Sequence, residues 1–132
     1  MTLQSAYFDN WGGAPTVLIW GDAAGMRDLA DFLRAVQANP VSSKLSEFCR
    51  AVDGKEITVR MVSDRYDSGM RVNRETLDWA LRPQEADDFA EMVSVLISSP
   101  GGHQYLDCSA TDTITVTIST GEHPASLHPH HS

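Results

Sequence analysis

The chain has little of what staples small or secreted folds: two cysteines among 132 residues, Cys49 and Cys108, with no CxxC pair. Both lie in apolar-patterned segments, so reduced, buried thiols are expected rather than a disulfide. No uncharged apolar run approaches the roughly 18 residues that a membrane span requires. The start, Met1 to Asp9, lacks the basic stretch and apolar core of a secretory signal. A cytoplasmic location is therefore expected. Positive charge is also scarce, with ten Lys and Arg against 18 Asp and Glu and a formal charge of −8. Each phosphate contact needs a cation, so binding to nucleic acid or anionic membrane is disfavoured. Fast encounter with a basic surface is favoured instead.

The familiar catalytic signatures are missing too: GxSxG, GxxxxGK[ST], HExxH, and GxGxxG opening a helix. Trp11-Gly12-Gly13-Ala14-Pro15 precedes a strand rather than following one, the wrong side for cradling phosphate. His103 is the one histidine within the folded pattern. Asp107, four residues along the same presumed strand, lies about 13 Å from it, too far to pair. His123, His128, His130 and His131 gather in a proline-broken tail that fixes no four-ligand zinc geometry. No cofactor, no metal and no catalytic residue is expected.

What is present is a regular alternation of elements. Met26, Leu29, Ala30, Leu33 and Val36 recur at helical spacing, with Asp22 as N-cap and Pro40 as stop. Ala86, Phe89, Ala90, Val93, Leu96 and Ile97 form a second stripe, with Pro83 at the first helical position and Pro100-Gly101-Gly102 at the end. Each helix follows a strand. Thr16 to Trp20 is apolar on both faces, which places it mid-sheet. Leu77, Trp79 and Leu81 alternate, as do Ile57, Val59 and Met61, and residues 113–119.

Sliding the sequence on itself by 60 residues superposes Thr16 on Thr76, Asp28 on Asp88, Ala30 on Ala90 and Pro40 on Pro100. The order of elements repeats with them. The reading is an α+β fold of two successive strand–helix–strand–strand units, preceded by a strand near 3–8. A single, largely antiparallel sheet would carry both amphipathic helices on one face. Residues 43–52 have helical spacing at Leu45, Phe48, Cys49 and Val52. Asp53-Gly54 followed by an alternating strand favours a hairpin instead, with a strand near 46–52. Residues 64–69 read as a polar loop beside Arg60, Arg65, Arg71 and Arg74. Residues 1–122 form one domain and 123–132 a His/Pro-rich tail.

The densest acidic run is 75–91, with Glu75, Asp78, Glu85, Asp87, Asp88 and Glu91 against Arg82 alone. Asp87, Asp88 and Glu91 point away from the apolar stripe and are the first candidates for a partner-binding surface. Trp20 and Trp79 close strands before helices and are assigned to the core, whereas Trp11, in a glycine-rich loop, is the aromatic contact candidate.

Several segments together resemble small immunity proteins of bacterial polymorphic toxin and contact-dependent inhibition systems. They are Ile19-Trp20-Gly21-Asp22 running into a helix, Leu77-Asp78-Trp79-Ala80-Leu81 before the second helix, Gly102-His103-Gln104-Tyr105-Leu106-Asp107, and Ser119-Thr120-Gly121-Glu122-His123-Pro124. An aromatic residue would be expected at position 123, where this chain has histidine. The resemblance implies a protein that binds and neutralises a cognate toxin domain and carries no catalytic residues. A cytoplasmic location would direct it to a cytosol-acting toxin such as a nuclease. Two alternatives stand beside it: a small-ligand or other interaction domain with a pocket between sheet and helices, and an enzyme centred on His103 with Tyr105. A homodimer is compatible with all three.

Overall fold

In the computed structural model the described residues are 3–11, 13–38, 43–63, 65–98, 102–106 and 114–120. Asp64, Asp107, Cys108 and the tail from Gly121 onward lie outside them. The hairpin of β1 (Leu3–Trp11) and β2 (Ala14–Gly21) runs into α1 (Ala23–Ala38). Short pieces follow: β3 (Ser43–Lys44), a 3-10 turn at Leu45–Glu47, and β4 (Cys49–Ala51); β5 (Ile57–Met61) closes the first half. The second half repeats the plan with the hairpin of β6 (Gly69–Asn73) and β7 (Thr76–Leu81), α2 (Pro83–Ile97), β8 (His103–Tyr105) and β9 (Thr115–Thr120).

The helix boundaries follow from local chemistry. Asp22 caps α1, its Oδ1 accepting the Gly25 N–H at 2.8 Å, so the expected N-cap is present. Pro83 opens α2, where a missing N–H costs nothing. The Glu85 carboxylate turns back to accept the Arg82 N–H at 2.9 Å and the Ser68 hydroxyl at 2.7 Å.

The single, largely antiparallel sheet expected from the sequence is replaced by two mixed sheets, ordered β4-β1-β2-β9-β8 and β3-β5-β7-β6. Three ladders, β1·β4, β2·β9 and β5·β7, are parallel. The β2·β9 and β5·β7 ladders arise from an exchange between the halves. A helical crossover brings the chain back in its starting direction and so favours parallel pairing. Here the strand closing each half pairs with the pre-helix strand of the other half. Ile118 of β9 lies beside Ile19 of β2, and Val59 of β5 lies beside Trp79 of β7. Among the described residues the sheets join at one bridge, Met70 to Ile114, with the Ile114 N–H donating to the Met70 carbonyl at 3.1 Å.

Three local expectations are corrected. The Asp53-Gly54 hairpin does not form, because β4 pairs parallel with β1 and β5 belongs to the other sheet. The turn is tied to β1 instead: the Val52 N–H donates to the Ser5 carbonyl at 2.9 Å and the Tyr7 N–H to Asp53 Oδ2 at 2.8 Å. Residues 69–73, outside the expected strands, form β6, held antiparallel to β7 across a tight turn in which Arg74 adopts φ 61°. Trp11 ends β1, paired with Ala14, rather than occupying a loop.

The 60-residue repeat is visible in burial. Met26, Leu29, Ala30, Leu33 and Val36 are buried on α1, and their counterparts Ala86, Phe89, Ala90, Val93 and Leu96 are buried on α2. The helices pack against each other, α1 also reaching β2 and β5 and α2 reaching β8 and β9. One core cluster joins them to Val17, Ile19, Ile57, Val59, Leu77, Trp79, Leu81, Val116 and Ile118 of both sheets. Each large aliphatic side chain so buried contributes about 1.5–3 kcal/mol. β2 is the middle strand of five, and Thr16 and Leu18 on its reverse face are buried as well. This agrees with its two apolar faces. Trp79 is fully buried and lies 6.3 Å from the Phe89 ring; Trp20 is only half-buried.

Candidate protein-binding site

The helical phase that buries Ala86, Phe89, Ala90 and Val93 turns Asp87, Asp88 and Glu91 outward, and all three are exposed. Asp88 accepts a hydrogen bond from Gln84 Nε2 at 3.0 Å. Asp87 and Glu91 have no hydrogen bond or ion pair with any described residue. Exposed Val95 (52 %) lies on the same face, four residues beyond Glu91. The three sequence-predicted carboxylates are therefore brought together on one helix surface. The side chain of Trp11, the fourth sequence-predicted contact residue, lies outside the described residues.

Of the other acids of that run, Glu75 is exposed, while Asp78 and Glu85 have internal tasks. Arg60 Nε donates to both oxygens of Asp78, at 3.1 and 3.0 Å, and Glu85 caps α2. Counting charge along the sequence overstates the free acidic surface, because sheet pairing consumes Asp78 and helix capping consumes Glu85.

The structure adds two residues that the charge count passed over. Asp28 and Asp31 on α1 are exposed. In the 60-residue repeat they occupy the positions of Asp88 and Glu91. Asp31 lies 3.9 Å from Arg34, and Arg34 Nη2 donates to Ser94 Oγ of α2 at 3.1 Å, linking the two helices. The superposition of Asp28 on Asp88 was the signal that could have found them.

The backbone register opposes His103 to Ser119 and Tyr105 to Thr117; Tyr105 is 54 % exposed, and the His103 side chain lies outside the described residues. A surface cleft of about 570 Å³ lies between α1 and the segment after it, lined by Phe32, Val36, Lys44 and Glu47 among others. Among the described residues no three His, Cys, Asp or Glu side chains gather as a metal site, and no helix is long and apolar enough to cross a membrane. Cys49 is a free thiol, 3 % exposed. Burial pushes it up to about 11, and a hydrogen bond with the Ser5 side chain offsets part of that rise. The chain matches no known protein family and no curated protein.

Proposed function

We propose that this chain is an immunity protein that binds and neutralises a cognate cytosol-acting toxin domain, a nuclease or similar enzyme, through the acidic face of α1 and α2, without catalysis of its own. One observation carries the reading. Exposed carboxylates occupy equivalent positions on two adjoining helices, Asp28 with Asp88 and Asp31 with Glu91, and Asp87 extends the set. Three like-charge pairs at helical spacing result: Asp28 and Asp31, Asp88 and Glu91, Asp87 and Glu91. Each costs a helix a few tenths of a kcal/mol. Local partners offset only part of this, Arg34 beside Asp31 and Gln84 bonded to Asp88, whereas a basic partner gains from all of the carboxylates. An enzyme that acts on nucleic acid presents a basic groove, and a carboxylate surface occupies it by complementary charge and steers the encounter.

The resemblance to immunity proteins and the excess of acidic residues support the same reading. The test is co-expression with the product of the neighbouring gene, scored as rescue of growth and as co-purification. Rescue with a one-to-one complex is the expected result. A neighbour that is harmless alone and does not co-purify would sink the immunity reading.

A further inference from the structure

The second sheet turns a different chemistry to solvent. Its inward face supplies Val59, Met70, Leu77 and Trp79 to the core. Strand alternation therefore puts Arg60 of β5, Asp78 of β7 and Arg71 of β6 on the reverse face, away from the helices. Arg71 stands opposite Asp78 in the ladder, but that carboxylate is taken by Arg60 at 3.0 Å. Arg71 is exposed and has no ion-pair partner among the described residues. Beyond the end of β5, Tyr66 is 59 % exposed with the Arg65 guanidinium 6.0 Å from its ring centre. Tyr66 and Arg60 line one cleft of about 440 Å³, with Met61, Val62, Ser63 and Asp67.

We propose that this Arg60–Arg65–Tyr66–Arg71 surface is a second interaction site, and that it takes an acidic segment of a partner protein. Two exposed cations without a carboxylate partner among the described residues, an exposed tyrosine and an adjoining cleft have the side-chain composition of interface hot spots, where Tyr and Arg are enriched. On a chain of net charge −8 such a patch attracts a negative partner only at short range. A ligand of closely spaced charge such as a polyphosphate would meet Asp67 and Asp78 inside the patch. A peptide with spaced carboxylates can pair with Arg65 and Arg71 while its apolar stems cover Tyr66. Arg60 and Arg71 lie on the reverse face of the second sheet, whereas Tyr66 adjoins the start of α2, its carbonyl accepting the Arg82 Nε–H at 2.9 Å; the site stands whatever the helix face binds.

The probe is a fluorescein-labelled peptide of alternating Glu and Leu, titrated into the full chain at 50 and 300 mM salt, beside an oligothymidylate of equal charge. The test variant is Arg65→Glu with Arg71→Gln, since glutamate at 71 would face Asp78 across the ladder and strain the strand pair. The expected result is peptide binding weakened about tenfold or more by the variant, or by Tyr66→Ala alone, with an unchanged melting temperature. Tyr66→Ala should retain the salt dependence that the arginine variant loses. Oligonucleotide binding in place of peptide binding would overturn the proposal in favour of a phosphate site. Absent peptide binding, or binding indifferent to both variants, would overturn it outright. Peptide binding that strengthens on adding Asp87→Lys, Asp88→Lys and Glu91→Lys would show that the surface serves the acidic helix face of a second copy of the chain, and would overturn it as well.

Discussion

Arg34 donates a hydrogen bond to Ser94, 3.1 Å away, and the two residues occupy the same position in successive units, 60 residues apart. Exchanging the units therefore maps this contact onto itself. The strand pairs obey the same exchange: Val17 with Val116 and Ile19 with Ile118 in one sheet, Leu77 with Ile57 and Trp79 with Val59 in the other. The fold is two similar halves, each completing the sheet of the other, in an approximate two-fold relationship.

That exchange predicts strict mutual dependence. Cut between Ser63 and Arg65, the first half would leave β5 without β7, and the second would leave β9 without β2. Neither fragment should fold alone, whereas co-expressed fragments should reassociate. Far-ultraviolet circular dichroism of each fragment and of their mixture tests this; a folded, cooperatively melting single half would refute it.

Asp87→Lys, Asp88→Lys and Glu91→Lys together should leave stability within about 1 kcal/mol, because the three are exposed and touch no core. Association with the cognate toxin should slow, most at low salt, where screening is least. Adding Asp28→Lys and Asp31→Lys should deepen the loss if both helices face the partner. Stopped-flow rates at two ionic strengths decide it, and rates indifferent to all five changes would remove the helix face from the interface.

Glu85 should behave unlike its acidic neighbours. It accepts hydrogen bonds from the Arg82 N–H and the Ser68 hydroxyl, so Glu85→Ala should cost about 1–2 kcal/mol in chemical denaturation. Glu91→Ala, made the same way, should stay within about 0.5 kcal/mol.

Cys49 makes stability fall at high pH. Burial pushes its folded thiol up to about 11 from the ordinary value of 9.0. The unfolded chain loses this proton first, so the contribution is complete below pH 9 and disappears as pH rises towards 11. At about 1.4 kcal/mol per unit the full effect is about 2–3 kcal/mol. Urea melts of wild type and Cys49→Ala should run parallel below pH 9, and between pH 9 and 11 the wild type should lose about 2–3 kcal/mol relative to the variant. Curves that stay parallel from pH 9 to 11 would mean that the thiol is not shielded.

The sequence by itself determined both helices, their caps and their buried stripes, because a period of 3.6 residues and an aspartate or proline at a helix start are local facts. It also determined that β2 is buried on both faces and that the two halves repeat, since Asp28 and Asp88 superpose by counting alone. Partnership was decided only in three dimensions. Ile57, Val59 and Met61 alternate in the same way whether they pair with the segment before Asp53-Gly54 or with β7, and only the shared core selects β7. The same holds for charge. Asp78 and Asp87 look alike in the chain, yet sheet register sets Asp78 within reach of Arg60 while helical phase leaves Asp87 in solvent. Side-chain period fixes which face a residue takes, but its neighbours on that face come from other strands and helices, and tertiary packing brings those together.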